Sequence, residues 1–187
     1  MLEITVPARK PTELWDEERQ EFVYVPGAKE VTLCLEHSLI SLSKWESKWC
    51  KSFLDSKTDK TEEETLDYIK CMTLTKNVDD EVYHRLTRQN VIDIDKYIQA
   101  PMTATYFSKE QGGKGSREQI TSELIYYWMI ALTIPVEFEK WHLNRLLTLI
   151  RVCNIKNQPQ KKMSRRETMS RNAALNAARR KQMNTKG

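Results

Sequence analysis

The stretch from Ser122 to Ile150, SELIYYWMIALTIPVEFEKWHLNRLLTLI, leaves a chain of this kind few ways to fold. No charged side chain lies between Leu124 and Val136, and Pro135 interrupts the run, because proline lacks an amide hydrogen and clashes with the carbonyl one turn earlier. The pattern predicts two helices folded about that proline. The first starts near Ser116 and carries Ile120, Leu124, Trp128, Ala131 and Leu132. The second begins at Pro135 with Glu137 and Glu139 in its opening turn, and carries Phe138, Trp141, Leu143, Leu146, Leu147, Ile150 and Cys153, as a helix buried on several faces would. A membrane span needs about 20 apolar residues. This run is shorter, is cut by Pro135, and runs into Glu139, Lys140 and Arg145, so a core hairpin is expected instead.

What packs against that hairpin is read from the N-terminal part. Leu2 to Val6 alternates apolar and polar as a half-buried strand does, and Phe22–Val25 and Val31–Leu35 read as two more strands joined through Pro26-Gly27-Ala28. Three short strands cannot stand alone in water, so the sheet is expected to lie on helices. From Glu36 the period becomes helical: Leu39, Leu42, Trp49 and Phe53 share a face with Trp45 beside it, and Lys44, Lys48 and Lys51 gather opposite. After a charged loop, Asp55 to Thr61, the pair Thr61 and Glu64 has capping-box spacing and opens a helix through Leu74. Shorter helices are expected over Asp79–Leu86 and Val91–Tyr97. Five glycines and six prolines in 187 residues are too few for a turn-rich sandwich or barrel. The expected fold is mainly α, a helical domain with a small N-terminal antiparallel β-sheet and a basic C-terminal helix or arm.

Charge divides the chain more sharply than composition does. From Lys156 onward ten Lys or Arg residues face the single Glu167, a net +9, which leaves −5 on the residues before it out of the overall +4. The organisation read from this is a core domain over 1–153, a polar linker over 154–163, and a basic segment over 164–187. There Ser164 and Glu167 have capping-box spacing, and Met169, Ala173, Ala174, Leu175, Ala177 and Ala178 form a thin apolar stripe among arginines. Such a segment would attract an acidic polymer or protein surface in a salt-dependent way. Nucleic acid is one candidate, but no aromatic residue is present there to stack on bases.

No catalytic arrangement stands out, and a non-enzymatic protein without cofactor is expected. His37, His84 and His142 are scattered, and Glu62 to Glu64 reads as helix-start acidity. Cys34 and His37 have a spacing that suits a metal, but no second pair completes a site. The glycine-rich stretch Thr103 to Ser116 lacks the Ser or Thr after Lys114 and the preceding strand that a phosphate loop requires. The remaining cysteines, Cys50, Cys71 and Cys153, sit with Cys34 in apolar patterns and read as reduced core residues. The N-terminus has no apolar secretion segment, so a cytoplasmic location is expected.

Three stretches have a familiar texture together: LEHSLISLSKWESKWCK (Leu35 to Lys51), Ile120 to Asn157, and LNAARRKQMNTKG (Leu175 to Gly187). Over nearly its full length the chain resembles proteins of long-tailed bacteriophages labelled tail assembly chaperones. The resemblance implies a mostly helical, non-enzymatic protein of the host cytoplasm that binds the tape measure protein, keeps it soluble and helps tail tube subunits polymerise around it, and that is absent from the finished virion. It supplies no site residues. On the residues themselves, an apolar groove involving Trp45, Trp49 or Trp128 is expected to hold an amphipathic helix of the client, while Arg165, Arg166, Arg171, Leu175, Arg179 and Arg180 form a docking helix. Self-association is left open. The competing readings are a virion structural protein, such as a head-tail connector or tail completion factor, and a small nucleic-acid-binding regulator.

Overall fold

The computed structural model describes residues 1–55, 59–107, 119–157 and 164–183, Glu167 without its side chain. Four strands and seven α-helices occur among them: β1 (Leu2–Val6), β2 (Thr12–Asp16), β3 (Glu21–Val25), β4 (Val31–Leu35), α1 (Leu39–Trp49), α2 (Glu62–Met72), α3 (Asp80–His84), α4 (Arg88–Gln99), α5 (Ser122–Ala131), α6 (Leu143–Asn157) and α7 (Arg165–Met183). A 3-10 helix over Val136–Lys140 stands between α5 and α6. The fold is mainly helical with a small antiparallel β element at its N-terminus. Two units result, Met1–Asn154 and Ile155–Gly187.

The strands form one long ribbon in two parts. β1 pairs antiparallel with β4, Leu2 opposite Leu35 and Val6 opposite Val31, and β2 pairs with β3, Thr12 opposite Val25 and Asp16 opposite Glu21. Between the two ladders a single bridge survives, with Arg9 and Ala28 exchanging both backbone hydrogen bonds at 2.8 Å. Pro7, Pro11 and Pro26 explain the interruption, since none has an amide hydrogen to give a ladder. The period of two puts Ile4, Val6, Leu33 and Leu35 on one face of the inner ladder, where they are at most 5% exposed and join the core.

α1 is closed at its start by a capping box between Ser38 and Ser41 and ends in a left-handed Cys50 at φ 51°. Its inner face carries Leu39, Leu42 and Trp45, all buried. Trp45 donates its indole N–H to the Glu64 carbonyl at 2.8 Å, and Trp49 donates to Asp67 Oδ2 at 2.9 Å. Two of the three lysines opposite that face are likewise engaged by α2: Lys48 bonds Asp67, and Lys51 bonds Glu64. Phe53, just beyond the helix, stacks on Tyr68 with ring centroids 3.7 Å apart. The carboxylate of Glu46 is also buried, and it accepts from the amides of Phe53 at 3.0 Å and Ser122 at 2.7 Å, fixing the start of α5 against α1.

The proline-centred hairpin differs from its sequence reading in four ways. α5 starts at Ser122, capped by Thr121, and leaves Ile120 exposed outside the helix; residue 116 falls outside the described residues. Pro135 opens the 3-10 turn rather than the next helix. The chain then extends at Trp141 and His142, because Ser38 bridges to His142 and the Leu143 amide donates to the His37 carbonyl at 2.7 Å; only then does α6 begin. Burial is also one-sided, for Tyr127, Ile130 and Val136 point to solvent while Ile125, Met129, Leu143, Leu146 and Ile150 fill the core. An uncharged run therefore marks the hairpin but does not make it buried all round.

Other boundaries shift for local reasons. α2 stops at Met72, and the next residues extend along β4, Leu74 donating its amide to the Cys34 carbonyl at 2.8 Å. Leu74 is thus exposed and not helical. α4 is longer than its apolar pattern, because Thr87 and Asn90 cap it at Arg88. None of the four cysteines lies in the fully buried core, and Cys50 is exposed at the helix end. In the second unit, every described side chain of α7 is exposed. Its alanines and arginines favour helix by propensity alone. The Ser164–Glu167 capping box, most of the 154–163 linker and the glycines at 112, 113 and 115 lie outside what is described.

Candidate functional site

The outer ladder, β2–β3, exposes what a fold ordinarily buries. Leu14 is 57% exposed, Trp15 52%, Phe22 68%, Val23 37% and Tyr24 64%. The register sorts them into two faces. Trp15 opposes Phe22 and Glu13 opposes Tyr24 on one; Leu14 opposes Val23 on the other. The Trp15 and Phe22 rings meet edge to face with centroids 4.9 Å apart, a cross-strand aromatic pair of the kind that stabilises a ribbon without help from a core. A contiguous exposed apolar patch on a small protein marks a binding surface.

Local chemistry builds the hairpin. Its turn spans residues 17–20: Asp16 Oδ1 accepts from the Glu18 amide at 3.0 Å and the Arg19 amide at 3.2 Å, and Gln20 completes the reversal at φ 54°. At its base, two arginines clamp the joint between the ladders. Arg9 donates to the Pro26 carbonyl at 3.0 Å and pairs with Glu81. Arg85 donates to the carbonyls of Pro7 at 2.9 Å and Lys29 at 3.3 Å. Gly27 lets the strands approach closely there, since a Cβ would stand 3.0 Å from the Pro11 ring and 3.1 Å from the Arg9 carbonyl and would make them give by a few tenths of an ångström. The hairpin is thus held at its foot by α3 and the residue after it.

A second cluster, buried under β4 and α1, gathers titratable groups. His37 Nδ1 lies 2.5 Å from the Tyr68 hydroxyl, and the His37 and His142 rings meet at 5.2 Å. His142 Nε2 donates to the Tyr97 carbonyl at 3.0 Å while its Nδ1 accepts from the Asn144 amide at 3.3 Å, which defines a neutral ring protonated on Nε2. Tyr97 in turn donates to Glu36 Oε1 at 2.8 Å, and the N-terminal ammonium pairs with Glu36 Oε2 at 3.0 Å. Burial, with His142 beside it, lowers His37 to about 3, and burial lowers His142 as well. Burial pushes the hydroxyls of Tyr68 and Tyr97 up. Both imidazoles are enclosed, and His37 Nδ1 and both His142 nitrogens bond protein groups, so the cluster acts as a polar tie between β4, α2, α4 and α6. Among the described residues no group of three His, Cys, Asp or Glu side chains is arranged to hold a metal, and Cys34 and His37 gain no further ligand.

The residues expected to bind are distributed differently from the reading in sequence. Trp45 is fully enclosed in the core, so it lines no groove; α2 covers the face it presents. Trp49 and Trp128 are half-buried against the core. Arg165, Arg166, Arg171, Leu175, Arg179 and Arg180 lie on α7, exposed. The exposed tryptophan is Trp15, which sequence reasoning passed over together with Leu14 and β2. A signal was available: ELWDEERQEFVYV holds two β-prone runs about a polar loop, the pattern of a hairpin.

The chain matches no protein-family model, no curated protein and no solved structure. No helix among the described residues is long and apolar enough to cross a membrane.

Proposed function

We propose that this chain is a binding protein of phage tail morphogenesis, a tail assembly chaperone that holds the tape measure protein soluble while tail tube subunits assemble around it. The observation that carries the reading is the outer hairpin: Trp15, Phe22 and Tyr24 project into solvent from a body whose own core is already filled. A chaperone needs an apolar surface that its own fold does not consume and that is held in place. Here the Arg9 and Arg85 clamps supply the second requirement. The sequence resemblance supplies the identity of the client, and the site of action is the host cytoplasm. The hairpin replaces the groove of Trp45, Trp49 and Trp128 as the contact surface, and α7 provides a separate basic arm.

Co-expression tests this. The soluble yield of the tape measure protein of the same phage should rise several-fold with the wild-type chain, and much less with the triple variant Trp15→Ser, Phe22→Ser, Tyr24→Ser. No rise with wild type would defeat the reading. The finished particle gives a second check: a chaperone is missing from purified virions by mass spectrometry, whereas a connector or completion factor is present in fixed copy number.

A further inference from the structure

We propose that the outer hairpin selects a basic amphipathic helix, taking the helix's apolar stripe on Trp15, Phe22 and Tyr24 and its Lys and Arg side chains on the carboxylates around them. The inference rests on the reading of the chain as a binding protein and specifies the chemistry of what it binds.

Charge carries the argument. Residues 12–25 hold five carboxylates, Glu13, Asp16, Glu17, Glu18 and Glu21, against the single guanidinium of Arg19, a net −4. Elsewhere on the body several carboxylates have a cation beside them, Asp67 with Lys48, Glu64 with Lys51, Asp80 with Lys70 and Glu81 with Arg9. On the hairpin only Asp16 has a cation within ion-pair distance among the described residues, Arg19 at 3.9 Å. The register sets Glu13 beside the aromatic pair, and the turn sets Glu17 and Glu18 at its tip. An aromatic surface edged by uncompensated carboxylates rejects an acidic segment and favours a basic one, with arginine also able to stack on exposed rings. It equally disfavours hairpin-to-hairpin pairing of two copies, which would bring the same negative charge together.

The spacing of the rings suits a helix. Trp15 and Phe22 lie side by side and Tyr24 stands two residues along the strand, about 7 Å away at a rise of roughly 3.4 Å per residue. A helix of about 11 residues, or three turns, spans the whole ladder of about 17 Å, and its apolar groups at i and i+3 or i+4, about 5 to 6 Å apart along the axis, meet both rows of rings.

Two labelled synthetic peptides of about 18 residues, a helix length sufficient for the three turns, test it against the full chain by fluorescence anisotropy. Both carry the same leucine stripe; one is flanked by Lys and Arg, the other by Glu. The basic peptide should bind at least tenfold more tightly, with the preference shrinking as salt is raised. Glu17→Lys with Glu18→Lys should cut it several-fold, and Trp15→Ser with Phe22→Ser should remove binding while the circular dichroism melt of the body is unchanged. Equal binding of both peptides, or basic-peptide binding that survives the aromatic substitutions, overturns the proposal. So does a hairpin-dependent dimer in ultracentrifugation that the basic peptide fails to dissociate. If the wild-type chain solubilises the tape measure protein and the hairpin variant does so much less, while the peptides do not discriminate, this inference fails and the chaperone reading stands. If the peptides discriminate but the tape measure protein is unaffected, the chaperone reading fails and this one stands.

Discussion

The inner and outer halves of the N-terminal ribbon are built alike and used differently. Each has two five-residue strands fully paired in register. In the inner half Ile4, Val6, Leu33 and Leu35 belong to the core, with β1 against α4; in the outer half Leu14, Trp15, Phe22 and Tyr24 face water. Pairing therefore makes a ribbon, and only what lies beneath it makes a core. The inner half shows what apolar strand residues do when helices cover them, and the outer half keeps the same kind of side chains available for another molecule.

The contrast is sharpest in stability. Leu33→Ala empties a fully buried site and should cost about 3 kcal/mol of unfolding free energy. Phe22→Ala, exposed on the outer ladder, should cost below about 1 kcal/mol. Urea denaturation of the two variants decides it, and equal losses would mean that the outer half is part of the folding core.

Acid should weaken the foundation of the inner half next. His37 sits two residues after β4 and is lowered to about 3, and His142 is lowered with it. A base whose folded pKa lies below its unfolded value near 6.5 stays neutral in the fold but binds a proton when unfolded. Stability is therefore full above about 6.5 and falls as pH drops toward the folded value, by up to about 1.4 kcal/mol per unit for a single group. Between pH 6.5 and 5 the loss for His37 should be about 2 kcal/mol by that slope. The lowered carboxyl of Glu64, held down first by its bond from Lys51, matters only below the ordinary carboxylate range, so this window isolates the histidines. A flat stability profile there would contradict the buried neutral pair.

The joint gives a smaller, local effect. Arg85→Ala removes the donors to Pro7 and Lys29, and should cost about 1.5 kcal/mol by the worth of charged hydrogen bonds. Amide exchange should quicken in β2 and β3 more than in β1 and β4. Uniform quickening would show that the two halves do not open separately.

Much of this was legible in sequence, and the gaps have physical causes. β1, β4 and the α2 cap follow from alternation and from Thr61 with Glu64, because those signals are local. β2 escaped because Leu14 and Trp15 are adjacent and flanked by acids, so no alternation marks the segment, although its partner strand Phe22–Val25 was legible. Trp45 and Trp15 show the deeper reason. A helical period tells which side chains share a face, but not whether another element covers that face; α2 covers Trp45, and nothing described in the body covers Trp15. The length of the uncharged run around Pro135 was legible, but the extended break at Trp141–His142 depends on Ser38, about a hundred residues away, and no local pattern records it.

Hydrogen exchange of the full chain, alone and with the tape measure protein, decides whether the outer ladder is the contact surface. Slower exchange is expected for the amides of β2 and β3, Thr12–Asp16 and Glu21–Val25, with β1 and β4 little changed because they are already protected. Protection confined to α5, α6 or α7, with the outer ladder exchanging as freely as in the isolated chain, would contradict it.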